Sequence, residues 1–188
     1  MQTVIGLDLG RSALKLVASW KDGAGSRRTR LSFPSAVTPA RRLVGAEELR
    51  AAQTETVVVD GQAFFIGQTA ALQGGDRMQG GFTDEWLFTP AHGALLKGAV
   101  DKAAAAGVPD AHTAEIVVGL AGRSFVQSHD QYLTALRKHL PKASVTIYPH
   151  LIGRPHRAAR SPGRSGRPAA SAQGHRRRRW VVLLTSLA

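Results

Sequence analysis

"GLDLGRSALKLV", residues 6–17, decides the fold. A short apolar strand runs into Asp8, turns through Gly10 and continues as a second apolar strand past Lys15. Apolar positions over residues 3–9 and 13–19 predict a β-hairpin bent around Gly10. A carboxylate at a strand end, a glycine two residues on and a lysine seven on suit phosphate chemistry. The turn's backbone N–H groups can hold phosphate oxygens, and the glycine permits close approach. Lys15 then offers a point charge to β- and γ-phosphates, while Asp8 holds magnesium through water. The same residues also fit a hairpin whose polar turn merely faces solvent, because short glycine turns are common. Local chemistry leaves both readings open.

Working outward, "TRLSFPSAV" (29–37) predicts a third strand broken by Pro34, and residues 40–54 an exposed loop or short helix. "ETVVVDGQAFFIG" predicts two strands joined by Asp60-Gly61, the strongest short hairpin signal in the chain. "QTAALQGG" reads as a helical turn, and the segment Gly74 to Gly81 as a loop. From Pro90, Leu95, Leu96, Ala99, Val100 and Ala103 share one helical face, with Gly107 as C-cap. "AEIVVGLAG" reads as a buried strand covered on both faces, "SFVQSHDQYLTALRKHLP" as an amphipathic helix stopped by Pro141, and "ASVTIYP" as a last strand. The order predicts a mixed α/β domain with a parallel portion built by crossovers.

At 188 residues, with 43% hydrophobic and 20% charged residues, the chain can bury a real core. The absence of cysteine excludes disulfides, Cys-ligated zinc and thiol catalysis. No secretory leader and no apolar run of membrane-spanning length are visible, which fits a cytoplasmic protein with no membrane partner. The net charge is +12, but nine arginines after His150, unaccompanied by any acid, leave only +3 for residues 1–150. The basicity belongs to the tail.

"IGLDLGRSALKLV" resembles the first phosphate motif of the actin, sugar-kinase and DnaK-type chaperone superfamily, D-x-G-x-x-x-x-K between the first two strands. Asp8, Gly10 and Lys15 match it in type and spacing, whereas Arg11 stands where many members carry Ser or Thr, so the hydroxyl contact either falls to Ser12 or is absent. "FPSAV" (33–37), "VVVDGQAFFIGQTA" (57–70), "EIVVGLAG" (115–122) and "VTIYPHLIG" (145–153) follow in the order found in bacterial actin-like proteins of the ParM/StbA plasmid-segregation type. Departures are Ala121 for the usual Pro and His150-Leu151 for Gln-Pro. The resemblance covers residues 1–153 and implies an actin-like, ribonuclease-H-like mixed sheet with flanking helices. It implies ATP and Mg²⁺ as cofactors, with Asp8 on the metal, Gly10, Arg11 and Ser12 in the phosphate cradle, and Lys15 on the β/γ-phosphates. His150 falls where the family orients its attacking water. An intact relative polymerises on ATP and moves plasmid DNA through an adaptor protein. A sugar or acetate kinase of the same superfamily would want substrate-binding acids in mid-chain, and none stand out.

Residues 154–188 change character. Up to Arg179 they comprise Arg, Pro, Gly, Ala, Ser, His and one Gln, without periodicity. Three readings compete: a basic arm that would make this a small nucleic-acid-binding protein, a solvated extension, or a reading-frame shift in a GC-rich gene. The genetic code admits the third. Shifted by one base, Arg154-Pro155-His156 permits Ala-Leu-Ile, and His175 to Val181 permits I-V-V-D-V-G, with Asp at Arg178 and Gly at Trp180. That would be the superfamily's second phosphate motif. Within the given chain only the first phosphate loop is present, so weak or absent ATPase activity is expected.

Other chemistry is thin. The seven histidines show no i, i+4 pair with a third ligand nearby. Ser124 lacks a G-x-S-x-G setting. Trp86 with Phe82 and Phe88 reads as a packing cluster rather than a base-stacking platform.

Overall fold

Strand β1 (Val4–Leu9) runs into β2 (Ala13–Asp22), and the two pair antiparallel, with Leu7 opposite Leu16 and Asp8 opposite Lys15. The computed structural model describes residues 2–75 and 84–150, all within the unit Met1–His150. The alternation read from the sequence is borne out: Ile5, Leu7, Leu14, Leu16 and Ala18 are buried on one face. Burying one such aliphatic side chain contributes about 1.5–3 kcal/mol, so a one-residue slip, which would expose the whole set, is strongly disfavoured.

β3 (Gly25–Pro34) pairs with β2 along its length. Here the structure differs from the single broken strand expected over 29–37. Pro34, which lacks an N–H to continue the ladder, ends β3. Two residues later β4 (Val37–Pro39) begins in a second sheet, where the order is β4-β6-β5, with β5 at Thr56–Val59 and β6 at Gln62–Ile66. Helix α1 (Ala46–Gln53) lies between β4 and β5. The β5–β6 turn has positive φ at both Asp60 (50°) and Gly61 (79°), which the Asp-Gly pair tolerates. Helix α2 (Gly67–Gln73) follows.

Helix α3 (Pro90–Ala105) starts at Thr89, whose Oγ1 accepts from the His92 N–H at 3.2 Å, with Pro90 in the first turn. It ends as expected at Gly107 (φ 83°): the Gly107 N–H reaches the Ala104 carbonyl, and the Val108 N–H the Ala103 carbonyl. The expected face is buried, but so are Ala91, His92, Gly93, Ala94 and Gly98, because α3 packs against β2 as well as β4, β5 and β6.

After a 3₁₀ turn at Ala111–Thr113, β7 (Glu115–Ala121) joins β1 in parallel; α4 (Gly122–His139) then crosses to β8 (Ser144–His150), parallel to β7. The larger sheet is ordered β3-β2-β1-β7-β8. Full cover of β7 on both faces was expected, and burial is instead one-sided along much of it. Ile116, Val118 and Leu120 sit in the core with Leu95, Tyr132 and Leu136, whereas Glu115 and Val117 are half-buried. Most of the Gly74–Gly81 loop and all of the tail fall outside the described residues.

Candidate phosphate site

Because β1 is parallel to β7 and β8, the carboxyl ends of three strands share one edge of the sheet, the edge at which open α/β sheets take ligands. The bend after β1, the Gly122 start of α4 and the end of β8 all lie there. Asp8 and Lys15 are cross-strand neighbours, both half-buried, on the face opposite Leu7, Leu14 and Leu16.

Gly10 makes the bend possible. A Cβ at that position would stand 2.8 Å from the Ala13 carbonyl oxygen, a backbone atom that cannot swing aside. Arg11 and Ser12 are exposed at the tip. The Ser12 carbonyl accepts from the Ser35 N–H at 3.1 Å, which ties the bend to the crossing between the two sheets. Five of the six residues singled out from the sequence therefore come together. His150 is apart from them: it ends β8 opposite Ala121, two strands from the hairpin, about 10 Å away by inter-strand spacing.

The donor set suits a magnesium-bound phosphate: one carboxylate, one ammonium and a tight bend of backbone with no room for a side chain. Among the described residues no three His, Asp or Glu side chains gather, so a metal here would draw few of its ligands from protein side chains, Asp8 among them. Mg²⁺ commonly accepts this, keeping waters and phosphate oxygens as its other ligands. Two surface clefts lie elsewhere, one lined by Gln2, Asp110 and Ser144, the other by Arg41, Leu49 and Phe65.

Three buried polar clusters had no signal in the sequence. Burial pushes the Glu55 carboxyl up, but hydrogen bonds from the Lys102 ammonium (2.7 Å) and the Thr69 N–H (2.6 Å) outweigh it and hold the group below its ordinary value. His92 Nε2 lies 2.7 Å from the Tyr132 hydroxyl, beneath the edge of Trp86. Ser124 donates to Asp84 at 2.6 Å. Of the expected aromatic cluster, Trp86 packs against the core, Phe88 meets Tyr132 edge-on but stays exposed, and Phe82 is outside the described residues. The Glu55–Lys102, His92–Tyr132 and Ser124–Asp84 pairs span 47, 40 and 40 residues of sequence, beyond the reach of any local pattern.

The profile of the actin like proteins N terminal domain matches residues 6–152. No curated protein matches the chain. Among solved structures, a non-polymerisable quadruple mutant of pCBH ParM aligns with a TM-score of 0.51 at 14% identity, over 81% of this chain and 48% of that one. The apo psk41 ParM protein aligns with a TM-score of 0.50 at 11% identity, over 77% of this chain and 48% of that one. This chain thus spans about half the length of either structure. No helix among the described residues is long and apolar enough to cross a membrane. With its mixed sheet, its hairpin bend at the strand carboxyl ends and a family match over most of its length, the chain belongs to the actin-like proteins, as their N-terminal domain.

Proposed function

We propose that the hairpin at residues 6–17 grips the terminal phosphates of MgATP, and that this chain is the N-terminal part of an actin-like ATPase which assembles into filaments and moves plasmid DNA through an adaptor protein. One observation carries the reading: a bend with no space for a Cβ at Gly10, set at the carboxyl ends of parallel strands and flanked by the cross-strand pair Asp8 and Lys15. In this scheme the amides of Gly10, Arg11 and Ser12 cradle phosphate oxygens. Lys15 neutralises charge on the β- and γ-phosphates, and Asp8 holds magnesium through its waters. In this scheme His150, at the end of β8, would orient the hydrolytic water. Bound ATP supplies the phosphoanhydride whose cleavage would time filament disassembly.

The test is titration of a fluorescent ATP analogue with Mg²⁺ into the full chain and its Lys15→Ala variant, with AMP as competitor. A charge-assisted contact contributes about 1.5–3 kcal/mol, so Lys15→Ala is expected to weaken binding by roughly ten- to a hundredfold. AMP, lacking the outer phosphates, should compete poorly. Equal affinity of the two proteins, or competition by AMP as strong as by ATP, overturns the assignment. ATP-dependent light scattering tests assembly separately.

A further inference from the structure

The outermost strand of the larger sheet carries the second proposal. β3 pairs with β2 from Ala13↔Pro34 to Asp22↔Gly25, and among the described residues no strand lies on its other side. Such an edge presents alternate N–H and C=O groups that have no ladder partner. β1 reaches only as far as Ser19, so residues 20–22 and 25–27 extend past it as a two-stranded ribbon.

Cations outnumber carboxylates on this edge. β3 holds Arg27, Arg28 and Arg30, β2 adds Lys21, and Asp22 is the one carboxylate in either strand. Asp22 is already engaged by Arg27, Nε to Oδ2 at 2.7 Å. Arg28 and Arg30 are exposed and have no ion-pair partner among the described residues. Arg28 faces Ser19, Arg30 faces Val17 and Lys21 faces Ser26, so by strand alternation the three cations share the face turned away from the core.

We infer that the β3 edge receives an acidic, extended polypeptide as an added strand. The backbone ladder supplies the register, and Arg28, Arg30 and Lys21 engage carboxylates at alternate positions of the incoming segment. A second copy of this edge is a poor occupant, because it would set arginines against arginines. Nucleic acid fits less well: the one aromatic of the ribbon, Trp20, is half-buried against the core and offers no stacking platform.

The test uses the full chain, a fluorescein-labelled (Val-Glu)₅ peptide, the same peptide N-methylated at alternate residues, and a single-stranded oligonucleotide, all in low salt. The parent peptide should bind, and binding should fall about tenfold or more with Arg28→Glu/Arg30→Glu, with Arg28→Gln/Arg30→Gln, and with the N-methylated peptide. Amide exchange over residues 26–32 should slow in the complex. If the variants bind the peptide as wild type does, the contact lies elsewhere in the chain and the proposal fails. It fails equally if N-methylation has no effect, since no strand is then added. An oligonucleotide that binds more tightly than the peptide, with the same dependence on Arg28 and Arg30, would replace it with a nucleic-acid surface.

Discussion

Lowering the pH from 7 to 5 should destabilise this protein through one buried side chain. His92 is fully buried in α3, its Nε2 beside the Tyr132 hydroxyl and its ring against Trp86. Burial first, and the neighbouring His139 second, push its pKa down to about 3 from an ordinary 6.5. The unfolded chain therefore binds the proton before the folded one does, and stability falls as pH drops through the unfolded value. Integrated from pH 7 to pH 5, with the unfolded group titrating near 6.5 and the folded one not at all, the loss is about 2 kcal/mol. That is a large share of the stability of an ordinary domain. The assay is urea denaturation of wild type and His92→Gln at both pH values. Gln cannot titrate and can still meet the Tyr132 hydroxyl. Any constant cost of the substitution cancels in the pH difference, and other titrating groups, His139 included, contribute to both proteins. Wild type should lose about 2 kcal/mol more than the variant over this window. Equal losses would refute the assignment of acid sensitivity to His92.

Two other substitutions test the packing between the sheets. Lys102→Met leaves the Glu55 carboxylate buried without its cation and should cost about 3–5 kcal/mol in denaturant titrations at neutral pH. Because Glu55 is held below its ordinary value, its contribution in wild type is complete above about pH 4.5 and is lost as pH falls through the folded value, and this acid limb should flatten in the variant. Gly98→Ala should lower the melting temperature, since its Cβ would run into buried Ile66 and lie 3.1 Å from Val57, outweighing the roughly 1 kcal/mol gained in helix propensity. Gly93→Ala should leave the melting temperature level or raise it, because the group displaced is the half-buried His139 ring, which can turn toward solvent.

Features set by a few adjacent residues could be read from the chain alone. The Gly10 bend, the Asp60-Gly61 turn and the Gly107 terminus each depend on a backbone geometry that only particular residue types allow, and each stands where expected. β3 was expected from residue 29 and begins at Gly25, because its first residues extend the ladder without the apolar alternation that marks a strand. The transfer of the chain between sheets at Pro34 was hidden for a related reason. A proline signals where a strand stops, and nothing local says which partner the next residues will find. Glu55 with Lys102 and His92 with Tyr132 meet only because α3 threads between the sheets. The site residues themselves were legible as a motif, while their placement at the strand carboxyl ends depended on the parallel pairing of β1 with β7.

The bond from the Ser35 amide to the Ser12 carbonyl has a mechanical consequence. Ser35 lies between Pro34, the last residue of one sheet, and Val37, the first of the other, so any rocking of the smaller sheet pulls directly on the bend. Linkage is reciprocal. Were the bend to hold an anion as proposed, the bound ligand would also narrow the range of tilts open to the smaller sheet, and a neighbour clamping that sheet would alter the hold on the anion.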